Sequence, residues 1–133
     1  MNLLIDANII LEIYLDQEKA GESRQFLNSF REHKFFMTDF SIHSIGVILF
    51  FRNRKDGFKY FLHDVLSQMD VEIAVLSLED MNKVLEVSEN YGLDFDDSCQ
   101  YVAAKKHGLT LISFDSDFDR TDLKRKTPSQ VLK

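Results

Sequence analysis

Residues 2–15 read NLLIDANIILEIYL, an apolar run that ends in an aspartate and continues at once with helical spacing. The first four residues have the apolar content of a buried strand. Leu11, Tyr14 and Leu15 then repeat at intervals of three and four, as expected for one face of a helix. Asp6 stands at the junction, so this stretch predicts a strand that turns directly into a helix.

Three further runs have the same apolar character: FFMT at 35–38, EIAVL at 72–76 and LTLIS at 109–113. Longer stretches with helical spacing separate them, so strands and helices alternate along the chain. None of the runs shows the strict alternation of a sheet with one exposed face. The order predicts the α/β class, with a parallel sheet covered by helices on both faces. In such sheets ligands bind beyond the carboxyl ends of the strands.

Two of the predicted helices carry distinctive apolar surfaces. In residues 78–91 the spacing places Leu78, Met81, Leu85 and Val87 or Ser88 along one side. The segment IGVILFFRNR at 45–54 is apolar almost all round before its basic end. Such a helix is either deeply buried or shared with another chain, and of the two we expect core burial.

Composition bounds the class of protein. The chain has 133 residues, which fits one compact domain over residues 1–133 of ordinary globular composition. The net charge of −6 argues against a broad basic surface for nucleic acid, although acids that hold a metal contribute to that sum. The single cysteine, Cys99, excludes an internal disulfide framework. No apolar run approaches the ~20 residues that span a bilayer, so we expect a cytoplasmic protein with no membrane partner.

Acidic residues follow the first and the last of the predicted strands. Asp6 ends the first run, and Asp115 and Asp117 follow the last one in SFDSDF. Each of them could cap a helix, but one helix start needs only one cap. Since the carboxyl ends of parallel strands meet at one edge of the sheet, we expect these carboxylates to lie close together.

A third acidic group surrounds the first turn of a predicted helix in LDFDDSCQYVAAKKHG, at Asp94, Asp96 and Asp97. Negative charge is favourable there, by roughly 0.3–1 kcal/mol per group. Adjacent residues of a helix diverge by about 100°, so Asp96 and Asp97 cannot both face the same point. We expect Asp97 as a direct ligand of any bound cation, with Asp96 as an accessory candidate.

Crowded carboxylates require a cation or a proton to relieve their repulsion. Two of them ~5 Å apart repel by about 3 kcal/mol at an effective dielectric of ~20. No His, Cys or Lys accompanies the acids, so an all-oxygen site for Mg²⁺ or Mn²⁺ fits best. Such a site suits metal-dependent hydrolysis of a phosphodiester. The expected members are Asp6, Asp97, Asp115 and Asp117.

These segments resemble the PIN domain family, which includes the VapC-type toxins of toxin–antitoxin pairs. The matching pieces are LLIDANIIL, LDFDDSCQYVAAKKHGLTLISFDSDFD and the closing KTPSQVL, in the family's order and over nearly the whole chain. The resemblance implies a single PIN-like domain, with a parallel sheet of four to five strands, that acts as a metal-dependent ribonuclease. The catalytic metal ligands that it implies are Asp6, Asp97, Asp115 and Asp117. Asn8 matches a polar residue near the first ligand, and Ser113 takes the place of the threonine in the family's T-x-D turn.

One position departs from the family pattern. PIN nucleases usually carry a glutamate on the helix after the second strand, and TDFSIHSIGVILFF at 38–51 has none. By count from Thr38 the slot falls on Ser44, with His43 beside it and Asp39 upstream. Three outcomes stay open: a site that works with the remaining acids, help from Asp39 or His43, or a weak or inactive member. On this apolar helix, His43 fits a core histidine better than a ligand.

Three functions stay open on this basis. The first is an endoribonuclease with RNA as substrate. Members of the family that the chain resembles are commonly dimeric, and the toxins among them are held by antitoxin peptides. The resemblance therefore implies a homodimer and an antitoxin as protein partners. The second is a PIN-fold binding or scaffold module that lacks catalysis, for which the missing glutamate and the acidic charge speak. The third is a receiver-like signalling domain, but the acidic pair of its first strand is absent, since Ala7 and Asn8 follow Asp6.

Overall fold

A parallel sheet of four strands forms the centre of the structure, a computed structural model that describes residues 1–132. The strands are β1 (Asn2–Ile5), β2 (Lys34–Thr38), β3 (Glu72–Ala74) and β4 (Thr110–Ile112). The helices are α1 (Ala7–Tyr14), α2 (Ala20–Leu27), α3 (Asp39–Phe51), α4 (Lys55–Tyr60), α5 (Asp80–Tyr91), α6 (Phe95–His107) and α7 (Pro128–Leu132). A π-helical segment (Phe61–Ser67) continues α4, and a 3₁₀ turn (Ser116–Arg120) follows β4. The predicted α/β class and the four predicted strands are confirmed.

The strands lie in the order β3-β2-β1-β4, and each neighbouring pair is parallel. β3 is shorter than the predicted run at 72–76, because an edge strand has a hydrogen-bonding partner on one side only and Val75 already faces solvent. At the opposite edge, Lys126 forms a single parallel bridge to Ile112. The sheet therefore ends there in one bridge and not in a fifth full strand.

Side chains of β1 alternate between the two faces of the sheet and build an apolar layer on each. Leu3 and Ile5 belong to the larger core, which α1, α2, α3 and the π-helical segment cover. Leu4 packs with Ala103 of α6 on the other face. Because β1 is buried on both sides, the carboxylate that follows it, Asp6, is held at the boundary between the two layers. Among residues 1–132, the structure contains no helix with the length and apolar character needed to cross a bilayer.

The apolar side of α5 differs from the predicted one. Its buried residues are Val84 and Val87, whereas Leu78 and Leu85 are 91% and 61% exposed. Leu78 precedes the first residue of the helix, so helical spacing does not place it on the same face as the others. The predicted stripe is therefore wrong at these two leucines.

The prediction that α3 is buried all round is also wrong. Ile45 and Leu49 are fully buried, but Val47, Phe50 and Phe51 are exposed, Phe51 by 87%. A helix that packs on one side of a sheet buries one stripe, and α3 has more apolar residues than that stripe holds. The remainder line a surface groove of about 540 Å³, here named the α3–α4 groove. Its residues are Ile42, His43, Gly46, Val47, Phe50, Phe51 and Phe58.

Candidate functional site

An acidic cleft of about 230 Å³ lies where the carboxyl ends of the strands meet the first turn of α6. Five of the residues that line it are aspartates, at positions 6, 94, 96, 97 and 115. β1 delivers Asp6, the turn after β4 delivers Asp115, and α6 delivers Asp97. The first and last acidic motifs of the chain are therefore brought together by the parallel order of β1 and β4.

Asp6 is buried and accepts three hydrogen bonds. Its Oδ1 accepts from the backbone N–H of Ala7 at 2.8 Å and from Nε2 of Gln100 at 3.0 Å. Its Oδ2 accepts from the hydroxyl of Ser113 at 2.7 Å. Burial raises the pKa of Asp6 above its usual value, and the hydrogen bonds from Ser113 and Gln100 act in the opposite direction. These contacts fix the carboxylate in one orientation.

Three further carboxylates converge beside Asp6. Asp97, Asp115 and Asp117 each offer an oxygen, and these oxygens all lie within 4.8 Å of one another. Burial, followed by the charges of Asp115, Asp94 and Asp6, raises the pKa of Asp97 to about 8. The donor set of this trio consists of oxygen atoms only, as Mg²⁺ and Mn²⁺ prefer. The four acids expected from the sequence thus surround one region, with Asp6 inside and Asp117 at its exposed side.

Arg120 lies at the outer side of this region. Within residues 1–132 it is the one basic residue that forms an ion pair with a member of the trio. Arg120 Nη2 lies 3.1 Å from Oδ1 of Asp117, and its Nη1 donates to the carbonyl of Gly92 at 3.2 Å. The guanidinium thus joins the turn after β4 to the connection between α5 and α6. Because this ion pair is solvent-exposed, it contributes little to stability.

Ser113 and Asn8 shape the turn that carries Asp115. The Ser113 hydroxyl donates to Asp6 and accepts from the backbone N–H of Asp115 at 3.0 Å and from Nδ2 of Asn8 at 3.1 Å. One donated and two accepted hydrogen bonds satisfy a hydroxyl completely. The Asn8 Oδ1 in turn accepts from the backbone N–H of Phe114 at 3.3 Å. Both accessory residues therefore lie within the site and hold its turn.

The first turn of α6 divides its acids between two tasks. Asp94 is the N-cap, since its Oδ1 accepts from the backbone N–H of Asp97 at 2.8 Å. Asp97 points into the trio, whereas Asp96 is exposed and reaches only the cleft wall. This arrangement follows from the angle of about 100° between adjacent helical residues.

The candidates on α3 lie in three different places. Ser44 lines the acidic cleft. His43 is exposed and faces the α3–α4 groove, so its reading as a core histidine is wrong. Asp39 is exposed, and its Oδ1 accepts from the neighbouring backbone N–H of Phe40 at 2.9 Å. Neither Asp39 nor His43 is among the cleft-lining residues.

Gln100 is a part of the site that the sequence argument missed. It is 2% exposed, lines the cleft and donates to Asp6. A signal was present, because Gln100 follows Asp97 by three positions and so shares its face of the helix. A polar residue on that face, in a helix otherwise rich in apolar and small residues, requires a buried partner.

Solved structures share this fold at low sequence identity. The VapC20 toxin of Mycobacterium tuberculosis, described as cleaving the sarcin-ricin loop, has a TM-score of 0.78 at 14% identity, over 95% of this chain and 99% of that chain. A toxin–antitoxin complex from Klebsiella pneumoniae has a TM-score of 0.70 at 17% identity, over 95% and 97%. VapBC2 of Rickettsia felis, bound to a promoter DNA fragment, has a TM-score of 0.73 at 16% identity, over 94% and 96%. At these identities the likeness shows the fold.

Sequence similarity is found at the level of the family. No curated protein is similar in sequence to this chain. The family model of the PIN domain matches residues 3–124, a range that runs from β1 past the turn after β4. Since this match covers most of the chain, the protein belongs to the PIN domain family.

Proposed function

We propose that the protein is a metal-dependent endoribonuclease that hydrolyses RNA phosphodiester bonds. The observation that carries the proposal is the trio of carboxylate oxygens within 4.8 Å of one another, beside the buried Asp6. Within residues 1–132 the one basic group paired with this trio is the half-exposed Arg120, which reaches Asp117 alone, so the charges of Asp97 and Asp115 have no ion-pair partner. A divalent cation is therefore the natural partner of these groups.

Asp6, Asp97, Asp115 and Asp117 are the proposed metal ligands. When bound, Mg²⁺ or Mn²⁺ supplies an activated water and neutralises charge that develops on the scissile phosphate. The chain's own residues hold the ligands in place: Ser113 orients Asp6 and the backbone of Asp115, and Asn8 anchors Ser113. Asp94 fixes the start of α6 and so the direction of Asp97.

RNA is the proposed substrate on two grounds. Membership of the PIN family favours a nuclease, and the fold neighbour from Mycobacterium tuberculosis is described as cleaving an RNA loop. The cleft itself is acidic, so the substrate backbone is expected to approach only after a cation has neutralised the aspartates. Binding of RNA should for this reason depend on the metal.

An antitoxin is the proposed protein partner, and its proposed contact surface is the α3–α4 groove. The groove is apolar, about 540 Å³ in volume, and flanked by the exposed Phe50 and Phe51. Monomeric proteins rarely leave such a contiguous apolar surface uncovered. Several fold neighbours are toxin–antitoxin complexes, which supports a partner of this kind. A homodimer and a cytoplasmic location remain part of the proposal.

A second candidate function is a PIN-fold binding module without catalysis. Ser44 favours it, because this serine lines the cleft where the family usually has a glutamate. The metal would then have one carboxylate fewer, and the cation would bind more weakly. In that case the protein would fold and capture its partner but would not hydrolyse RNA.

A cleavage assay separates the two candidates. Structured and single-stranded RNA are incubated with the protein in Mg²⁺, Mn²⁺ or EDTA, and the wild type is compared with Asp6→Asn. Asp70→Asn serves as the matched control, since Asp70 is an exposed acid outside the cleft whose positive φ also suits asparagine. The proposal expects cleavage that EDTA and Asp6→Asn abolish and that Asp70→Asn leaves intact. Cleavage that persists in EDTA, or in the Asp6 variant, would contradict it.

A further inference from the structure

A buried amide connects three elements around the site. Gln100 of α6 is 2% exposed and lies between the ends of β1 and β2. Its Nε2 donates to Oδ1 of Asp6 at 3.0 Å, and its Oε1 accepts from the hydroxyl of Thr38 at 3.1 Å. Thr38 is itself buried and is the N-cap of α3. The amide is therefore satisfied at both ends by groups far away in the sequence.

These contacts fix the direction of the amide. An ionised carboxylate only accepts hydrogen bonds, so the NH₂ end of Gln100 must face Asp6. The oxygen end then faces the Thr38 hydroxyl, whose single proton is shared between this oxygen at 3.1 Å and Oγ of Ser41 at 2.7 Å. A flipped Gln100 would place its oxygen against the Asp6 carboxylate and leave buried groups unsatisfied, at a cost of about 1–3 kcal/mol each.

The hydrogen bonds of Asp6 are divided unequally between its two oxygens. Oδ1 accepts from Ala7 and Gln100, which uses both of its lone pairs. Oδ2 accepts only from Ser113 and retains one lone pair. Without Gln100, each oxygen would have one lone pair left, and the carboxylate would have no defined oxygen to present.

We propose that Gln100 is a positioning residue that reserves Oδ2 of Asp6 for a divalent cation. The inference rests on the proposed metal-dependent function and adds a residue and an atom to it. Gln100 and Asp97 lie on one face of α6, so the same helix positions two of the ligands. A neutral amide suits this task, because a lysine or arginine in its place would neutralise Asp6 and compete with the cation.

Metal affinity tests the proposal directly. Gln100→Met keeps a long unbranched side chain but removes the donor, and Gln100→Leu removes the donor with a shorter side chain; neither adds charge to the cleft. Ser29→Ala is the matched control, since it removes another buried hydrogen bond, from Ser29 Oγ to the Phe26 carbonyl at 2.6 Å, at a residue that does not line the cleft. Binding of Mn²⁺ alone is measured by calorimetry well below the unfolding temperature of each variant, with folding checked by circular dichroism.

We expect both Gln100 variants to bind Mn²⁺ roughly 10–100-fold more weakly than the wild type, as is typical when a residue behind a metal ligand is removed. Ser29→Ala should stay within about twofold of the wild type, even if it unfolds at a lower temperature, because its lost hydrogen bond lies outside the cleft. In RNA cleavage, kcat/KM of the Gln100 variants should fall at a Mn²⁺ concentration that saturates only the wild type. A merely structural Gln100 would lower the unfolding temperature and leave the Mn²⁺ affinity of the folded protein unchanged.

The outcomes separate this inference from the proposed function. Unchanged Mn²⁺ affinity in both folded Gln100 variants would overturn the role of Gln100 and leave the nuclease proposal standing. Weaker Mn²⁺ binding in a protein that does not cleave RNA would support Gln100 and overturn the nuclease proposal. Absence of Mn²⁺ binding in the wild type would overturn both. If Gln100→Met does not fold, the affinity of Gln100→Leu decides.

Discussion

Asp97→Asn is expected to stabilise the metal-free protein. Oxygens of Asp97, Asp115 and Asp117 lie within 4.8 Å of one another, so each pair of ionised groups repels by about 3 kcal/mol at an effective dielectric of ~20. Asparagine keeps the shape of the side chain and removes its charge. Because water screens part of this repulsion at a half-buried group, we expect the free energy of unfolding in EDTA to rise by about 1–3 kcal/mol at pH 8.

The effect should depend on pH with a defined sign. The pKa of Asp97 in the folded protein is about 8, above the value of ~3.9 for an unfolded chain. Between these values the folded state binds a proton that the unfolded state has released, so the stability of the metal-free wild type falls as pH rises through this window. Asp97→Asn lacks this contribution. The advantage of the variant should be small near pH 4 and complete by about pH 8.

Thermal unfolding in EDTA at pH 5 and pH 8 measures this difference. For a domain of 133 residues, 1–3 kcal/mol corresponds to an increase in Tm of about 3–10 °C. Asp96→Asn is the matched control, since it removes a charge from the same first turn but lies outside the trio; it should lower stability slightly, by roughly 0.3–1 kcal/mol. Saturating Mn²⁺ should raise the Tm of the wild type more than that of Asp97→Asn. A Tm that does not rise at pH 8, or that rises equally in the Asp96 variant, would refute the electrostatic reasoning.

Four further predictions concern other parts of the molecule. Ser44→Glu adds a carboxylate to the cleft wall, so it should lower Tm in EDTA and tighten Mn²⁺ binding on the order of tenfold by calorimetry, equivalent to about 1.4 kcal/mol; an unchanged affinity would show that position 44 does not reach the cation. Phe51→Asp should change the free energy of urea unfolding by no more than about 0.5 kcal/mol, because Phe51 is exposed. A larger loss of stability relative to the wild type, increasing with protein concentration, would show that the wild-type protein self-associates through the α3–α4 groove. Arg125→Ala should lower the free energy of urea unfolding by about 1–2 kcal/mol, since Arg125 makes a bidentate pair with Asp119 and donates to the Ser113 carbonyl. An unchanged free energy of unfolding would mean that the turn after β4 is stable without these contacts. Cys99 should react slowly with iodoacetamide at pH 8 in the native protein and rapidly in urea, because burial, and then the charge of Asp96, raise the pKa of its thiol to about 11; rapid native labelling, read by mass spectrometry, would contradict its burial.

Local patterns predict the strands and the acids of this protein well, for a physical reason. A buried parallel strand requires a short apolar run, and the chain has four of them, each of which forms a strand. The position of Asp6 and Asp115 just after such runs is also local information, because the carboxyl ends of parallel strands meet at one edge. The spacing in the first turn of α6 likewise distinguishes Asp97 from Asp96.

Local patterns do not predict what covers an apolar surface. Helical spacing shows which residues share a face, but α3 has more apolar residues than one face holds, and in α5 the apolar Leu85 stands next to the buried Val84. The sheet and the neighbouring helices accept only one stripe of each helix, so Phe51 and Leu85 remain on the surface. The same limit explains His43, which stands in a helix rich in apolar residues although its own side chain faces solvent.

The sequence by itself determined the α/β class, the order of strands and helices along the chain, and the four acids proposed as ligands. These follow from apolar periodicity and from charge at strand ends, which act over a few residues. Only the tertiary structure decided that Gln100 reaches Asp6 across 94 positions, that Ser113 holds its second oxygen, and that Ser44 lines the cleft while His43 faces away from it. Hydrogen bonds and exposure at such distances depend on how the sheet and helices pack together, and no local pattern records that packing.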